Sequence, residues 1–529
     1  MNYYEFTMFV IYFLAMLAIG LWFFFKSKDK SEKDYFLGGK SMNGLVSALS
    51  AGASDMSSWV LMGLPGAICL AGLGEVWISI GLIIGTILSW IFIAPKLRKY
   101  AIKANDSITI PEFFSNRFLV KGNLLRVSCA VIFVVGYCVY AASSIVACGK
   151  VLNVITSLPE TPAMIIAAII IVAYTMLGGF KAVCWTDFIQ GMIMLFALMT
   201  LPIIALIVLE KDPSVVTGAN YYNLLSSGKF DWKSVASILT GIGWGLGYYG
   251  MPHIVVRYMA IKNNKEMKKS QIIGIIWTTL ILIMATVVGL VAHEYLGSTI
   301  NSGNKEQVFI MIIRKLFGNG ALALIGGLLL SAIVAAAMSS ADSQLLASSS
   351  AFSSDIYKSV IKKNASDKEM LWIGRIVVCV ITIIALLIAI FFGHTSIMGL
   401  VSAAWSIFGA AFGPAMILAL YWKRFNYKGA CASILTGFLV SILWMVLFNF
   451  EYYNFNSVIY NTNLYEIVPG FILSLVVGII VSLVTKAPCK EVTDLFDSVK
   501  TFKDGDQTET LAQETATQEE TEEISEQAE

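Results

Sequence analysis

Asp55 is the residue most able to do chemistry, because of where it sits. It lies in Ala51-Gly52-Ala53-Ser54-Asp55-Met56-Ser57-Ser58-Trp59, inside an apolar run from about Leu45 to Leu70. A carboxylate at the centre of a membrane helix costs roughly 2.5–3.5 kcal/mol on insertion scales. Small residues and hydroxyls surround it instead of leucines. That composition suits a helix that breaks mid-membrane and turns its backbone toward a polar cavity, the one setting in which irregular backbone is tolerated there. Such breaks bind ions and small solutes. The plainer alternative is a carboxylate paired with a neighbouring helix for structural reasons alone.

Three more places interrupt the apolar pattern. Gly241 to Pro252 holds five glycines and a proline with interleaved aromatics, Trp244, Tyr248 and Tyr249. Glycine costs about 1 kcal/mol against alanine in a helix, and proline removes a hydrogen bond. A second break is expected here, although close packing of helices through small residues fits too. Trp244, Tyr248 and Pro252 follow at i, i+4 and i+8, so a surviving helical turn places all three on one side. In Ala336-Ala337-Met338-Ser339-Ser340 the carbonyl of Ala336 and the hydroxyls of Ser339 and Ser340 share one helix face. Three oxygens directed at one point suit a hard cation such as Na⁺, whereas serines in membrane helices more commonly bond back to the preceding turn. Tyr140 with Ser143 and Ser144 places a phenol among small residues.

The elements that position these residues follow from composition. Of 529 residues 57% are hydrophobic and 14% charged, and the mean hydropathy is +0.75. Soluble domains carry roughly 25% charged residues. Runs of about 20 apolar residues recur along the chain, so a polytopic all-α membrane protein is expected and a β-barrel is not. Thirteen spans are counted, at 6–25, 42–70, 76–95, 124–149, 163–180, 188–209, 233–257, 271–296, 320–352, 371–392, 398–421, 430–449 and 467–485. The first lacks the basic start and cleavage site of a signal peptide. Alternate loops, beginning with the one after span one, hold 30 of the 37 Lys and Arg residues. The positive-inside rule makes that side cytoplasmic, with the N-terminus outside and the C-terminus inside the cell membrane.

Eight scattered cysteines without a C-x-x-C pair read as packing residues. Three distant histidines argue against a zinc site. There is no phosphate-binding G-x-x-x-x-G-K-[ST] loop, hence no sign of ATP-driven pumping, and no paired-carboxylate or His/Asp/Ser set that would make the chain an enzyme. The polar stretch from Asp504 onward cannot bury enough surface to fold.

The two breaks fall in spans two and seven, an odd offset of five. Two inverted five-helix repeats, each opened by a broken helix, have this pattern. The expected units are 1–41 (first helix and loop), 42–209 and 233–421 (the repeats), 430–485 (two added helices) and 486–529 (a disordered acidic tail).

Ser-Asp-Met-Ser-x-Trp-x-x-Met-Gly-x-Pro-Gly at 54–66 resembles the sodium:solute symporter family. Gly-Trp-Gly-Leu-Gly-Tyr-x-Gly-x-Pro-His at 243–253, followed by Arg257, resembles its proline branch. Ala-Ala-Ala-Met-Ser-Ser at 335–340, and Trp185-Thr186-Asp187 with Gln190, match further segments. The resemblance runs from the first span to the thirteenth. It implies a LeuT-like fold and Na⁺-coupled uptake without any other cofactor. It implies a sodium site from the carbonyls of Ala53, Met56 and Ala336 and the hydroxyls of Ser339 and Ser340. Asp55 and Ser57 belong by the same resemblance to the ion and substrate region, and Trp59, Tyr140, Trp244, Tyr248 and Pro252 to a pocket for L-proline. Position 58 is Ser where that branch usually has Gly, and 251 is Met where Gln is common. A zwitterion with an apolar ring suits these groups: half-helix N-termini at both breaks for its carboxylate, aromatic walls for its ring. Other readings are a sodium symporter for another small amino acid or carboxylate, a transporter-like membrane sensor, and an ion channel.

Overall fold

The structure, a computed structural model, describes residues 2–26, 32–120, 122–392, 396–448 and 462–502. Among these the chain is helical, apart from turns, loops and one isolated bridge. The first half contains α1 (Tyr3–Lys26), α2 (Glu32–Leu37), α3 (Gly44–Asp55), α4 (Leu64–Ala71), α5 (Val76–Leu88), α6 (Ala94–Lys103), α7 (Ile110–Arg117), α8 (Leu124–Thr156) and α9 (Glu160–Val208). The second contains α10 (Trp232–Trp244), α11 (Pro252–Met259), α12 (Asn264–Leu296), α13 (Val308–Phe317), α14 (Ala323–Ser350), α15 (Asp367–Phe392), α16 (Ile397–Tyr421), α17 (Tyr427–Phe448), α18 (Ile467–Val484) and α19 (Lys490–Thr501).

Side-chain caps set several starts. Asn43 accepts from the Val46 amide to open α3, and Asp231 accepts from Ser234 to open α10. Each thereby satisfies a backbone donor that the helix cannot. The two breaks fall where small residues and proline weaken the helix. α3 stops at Asp55, Met56 leaves helical geometry at φ −78°, ψ 68°, and a wide turn at Trp59–Gly63 leads into α4. α10 stops at Trp244, a tight 3₁₀ stretch covers Gly245–Tyr249, and Met251 is extended before Pro252 opens α11. The bridge between Met42 and Ile261 joins the chain just before α3 to the chain just after α11, so the start of one broken segment meets the end of the other.

Ten helical stretches among the described residues are long and apolar enough to cross a membrane. Three expected spans have no stretch of their own: 42–70 is broken and its second half runs into the stretch Trp59–Lys103, 233–257 is broken, and 163–180 overlaps a short apolar helix, Glu160–Ala173. Within α9 the helix is interrupted at Gly179 (φ 57°, ψ −178°), a backbone that glycine adopts without strain. Outward faces carry large apolar side chains, Ile207 77% and Val484 76% exposed. Such a surface is stable when hydrocarbon rather than water surrounds it.

α14 and α16 form the centre. α14 packs on α1, α8 and α9, and α16 on α8, α17 and α18. Nearly every α16 side chain is buried. Glycines set the approach of α5 to α10: a Cβ on Gly81 would stand 2.2 Å from the Gly241 carbonyl oxygen, and one on Gly245 2.1 Å from that of Gly81. The close-packing reading of the glycine-rich stretch therefore holds for Gly241 and Gly245, alongside the break.

The stretch 486–529, expected to be disordered throughout, opens instead with α19. Val492, Phe496 and Val499 fall at i, i+4 and i+7 and are buried, against a neighbourhood that includes α6. The acidic remainder from 503 lies outside the described residues, as does His394.

Candidate functional site

The two breaks meet. The Tyr248 hydroxyl donates to Asp55 Oδ2 at 2.5 Å, linking positions 193 residues apart. Asp55 is 1% exposed, and its second oxygen, Oδ1, has no hydrogen-bond partner. The hydroxyls of Ser57 and Ser58, which follow Asp55 in the break, and of Tyr140 and Ser144, one turn apart on α8, are also buried without partners. Tyr140 lies within electrostatic reach of Asp55 and next to Ser57. Buried polar atoms are nearly always paired. Several orphans in one place mark a site shaped for a polar guest.

Aromatic rings roof this cluster. Trp59 donates from Nε1 to the Asp55 carbonyl at 3.2 Å and stacks on Trp244, centroids 5.8 Å apart and planes 29° apart. Trp244 stacks in turn on Tyr465 at 5.1 Å. Trp405 of α16 donates from Nε1 to the Trp244 carbonyl at 2.8 Å and meets Tyr248 edge-on at 5.4 Å. Trp244 and Tyr465 line a cavity of about 270 Å³, which Glu75, Lys233 and Glu466 also border.

Pro252 does not join Trp244 and Tyr248. It lines a separate space of about 30 Å³ with Arg257 and Ser343, beyond the break. The regular i, i+4, i+8 spacing fails because three residues per turn replace 3.6 over Gly245–Tyr249 and the chain then extends at Met251. The N-terminus of α11 is also closed to a carboxylate. Pro252 has no N–H, His253 donates to the Tyr137 hydroxyl at 2.8 Å, and Ile254 donates to the Met251 carbonyl at 3.1 Å. Of the two half-helix termini expected to serve an anion, this one is occupied by protein.

The expected cation ligands fall partly together. Ser339 Oγ lies 2.9 Å from the Ala53 carbonyl oxygen and 3.2 Å from that of Ala336. Helix α14 thus meets the end of α3 one turn before its break. Ser340 Oγ is buried and unpartnered. Met56 is the C-cap of α3, and its N–H returns to Gly52 at 2.8 Å. Two carbonyls and a hydroxyl converge directly, and Ser340 is the next residue along α14. Such an oxygen set suits a small hard cation. Among the described residues no group of three His, Cys, Asp or Glu side chains could hold a metal ion.

Deeper along α3 and α14, Arg257 pairs with Asp187 at 2.9 Å and donates to Ser50 at 2.7 Å and Ser343 at 2.5 Å, while Ser50 donates to Asp187 at 2.7 Å. Gln190 donates to the Tyr12 hydroxyl at 2.9 Å. Five helices, α1, α3, α9, α11 and α14, are cross-tied here with their charges paired.

Trp405 and Tyr465 escaped sequence reasoning, whereas Ser58 and Ser144 figure there only as neighbours of the expected pocket residues. A lone Trp in the small-residue run Ser402-Ala403-Ala404-Trp405-Ser406 was the available signal for one of them. Tyr465 lies just ahead of α18, far from both breaks in sequence.

Two broken helices crossing at a buried carboxylate, inside an all-helical membrane bundle, define a LeuT-like transporter rather than an enzyme. The sequence profile of the sodium:solute symporter family matches residues 35–437. The chain belongs to the sodium:solute symporter family. It is 41% identical over 490 residues to the osmoregulated proline transporter OpuE of Bacillus subtilis (strain 168), spanning 92% of this chain and 96% of that one. It is 39% identical over 513 residues to the sodium/proline symporter of Haemophilus influenzae (strain ATCC 51907 / DSM 11121 / KW20 / Rd), spanning 94% and 98%. In fold it is similar to a Na⁺-coupled sialic acid symporter in a substrate-bound outward-open state, with a TM-score of 0.75 at 21% identity, over 92% of this chain and 99% of that one. It is also similar to MhsT in complex with L-phenylalanine, with a TM-score of 0.51 at 14% identity, over 84% and 98%. These two likenesses concern the fold alone.

Proposed function

We propose that the chain couples inward movement of Na⁺ to uptake of L-proline across the cell membrane by alternating access. The observation that carries this reading is the unpaired polar cluster at the crossing of the breaks, beneath stacked tryptophans. Proline has a secondary ammonium, a carboxylate and an apolar ring. Asp55 Oδ1 and the Tyr140 hydroxyl suit the ammonium. The hydroxyls of Ser57 and Ser58, at the break between α3 and α4, suit the carboxylate, since the α11 terminus is taken. Trp59, Trp244 and Tyr248 suit the ring, with Pro252 shaping the break behind them. Na⁺ sits among Ala53, Met56, Ala336, Ser339 and Ser340, where its binding holds α14 against α3. Relatives named as proline transporters support the choice of substrate.

On this reading thirteen helices cross the membrane, two of them broken. The repeats span 42–209 and 233–421, and 430–485 adds a peripheral pair. The Lys- and Arg-rich side is cytoplasmic, the N-terminus outside and the C-terminus inside. The 270 Å³ cavity above Trp244 then faces outward, and the small space behind Pro252 faces the cytoplasm.

Trp244→Ala tests the pocket. Burying a ring against this face is worth about 1.5–3 kcal/mol, so the variant is expected to bind proline roughly ten- to hundredfold more weakly. Sodium affinity measured without substrate should hardly change. Full proline affinity in Trp244→Ala would place the ring elsewhere.

A further inference from the structure

A corner away from the breaks is formed where α17 begins, α18 ends and α19 starts. A cavity of about 240 Å³ opens there, bordered by Lys428, Lys486, Asn426 and Phe118, and no acidic residue lines it. Asn426 builds its floor. Its Nδ2 donates to Thr485 Oγ1 at 2.8 Å and to the Lys486 carbonyl at 2.9 Å, and its Oδ1 accepts from the Gly429 amide at 2.9 Å. The end of α18 and the start of α17 are thereby locked together, and Lys428 and Lys486, one from each side of that lock, both border the cavity.

Two further cations stand close by with unmet donors. Arg424 donates from Nη2 to the Thr485 carbonyl at 2.8 Å, but its Nη1 is buried and unpartnered. Arg117, fully buried, binds the Ala419 carbonyl through Nε at 3.1 Å, yet Nη1 and Nη2 have no hydrogen-bond partner. Its guanidinium rests 5.2 Å from the centroids of both Phe118, which borders the cavity, and Phe496 of α19. The Asp497 carboxylate of α19 is engaged by Lys423 and Lys500. Among the described residues none of Arg117, Arg424, Lys428 and Lys486 has a carboxylate partner. Directly beside the cavity the chain changes to membrane-facing apolar residues, Leu483 at 57% and Val484 at 76% exposure. A cationic mouth at the edge of an apolar wall matches a phosphate group joined to acyl chains. Basic pockets between membrane helices recognise anionic headgroups in this way.

We propose that this corner seats the phosphodiester of an anionic phospholipid, with Lys428 and Lys486 on the phosphate and the acyl chains along Leu483 and Val484. The lipid then braces α19 against α6 and α7. This inference rests on the chain spanning a membrane and is independent of which solute is carried.

The test uses the full chain in nanodiscs of equal parts phosphatidylcholine and phosphatidylglycerol, with lipid retention after mild delipidation read by native mass spectrometry. Phosphatidylglycerol should be retained over phosphatidylcholine. Lys428→Gln with Lys486→Gln should cut that preference by roughly thirtyfold, each cation near an anionic surface contributing a factor of about five. Lys428→Arg with Lys486→Arg should keep it, separating charge from folding. Excess inorganic phosphate should not displace the lipid, because it lacks the apolar contact. Equal retention of both lipids by the parent chain, or an unchanged preference in the Gln variant, overturns the proposal. Displacement by inorganic phosphate makes this a free-anion site instead. A preference that emerges only after removal of residues 503–529, which carry ten acidic side chains, assigns the corner to the chain's own tail and overturns it too.

Discussion

Asp55→Asn is expected to abolish sodium-driven uptake while the protein still reaches the membrane. The substitution keeps size and leaves an acceptor for the Tyr248 hydroxyl, which bonds Asp55 Oδ2 at 2.5 Å. What it removes is the charge, at a position 1% exposed whose other oxygen has no protein partner. An unpaired carboxylate so far from water persists only if a cation completes it. Removing one member of a buried charge pair costs about 3–5 kcal/mol, a loss of at least about a hundredfold in binding. Tyr248→Phe, which deletes the bond and keeps the charge, should weaken transport without abolishing it. Normal uptake by Asp55→Asn would leave Asp55 a structural residue that holds the two breaks together.

The second large effect concerns the coupling ion. Ser339 Oγ lies 2.9 Å from the Ala53 carbonyl and 3.2 Å from the Ala336 carbonyl, and Ser340 Oγ, on the next residue, is buried without a partner. A bond to a charged partner is worth about 1.5–3 kcal/mol. Replacing both serines with alanine should raise the sodium concentration for half-maximal uptake by more than about tenfold for each hydroxyl lost. Proline binding at saturating sodium should change far less, because neither side chain is assigned to the solute. Unchanged sodium dependence in the double variant would remove the ion from this place.

Local chemistry made much of this site legible in the sequence. Asp55 among small residues, and glycines followed by Pro252, announce helix breaks because intrinsic preference and burial conflict there. The five-span offset between the breaks is a property of the hydropathy pattern. The hydroxyls of Ser339 and Ser340 share a face with Ala336 by helix periodicity alone, and α14 is regular through that point. Where the backbone departs from regular geometry the same reasoning fails. Trp244, Tyr248 and Pro252 separate because the 3₁₀ stretch and the extended Met251 change the rotation per residue.

Contacts between distant segments were not legible. Trp405 and Tyr465 close on Trp244 from 161 residues and from beyond α17, and no local pattern marks such a partner. The Gly81–Gly245 approach needs both helices to be seen together. α19 was hidden for a different reason. Composition averaged over an acidic tail conceals a short amphipathic turn, although Val492, Phe496 and Val499 carried the spacing.

The most direct test of the account is uptake of labelled proline by the purified protein in proteoliposomes, with and without an inward sodium gradient. The account predicts accumulation above the outside concentration when sodium is high outside, and none when sodium is equal on both sides or replaced by potassium. Proline accumulation that ignores the sodium gradient, or no proline uptake under a gradient that drives another solute, would contradict it.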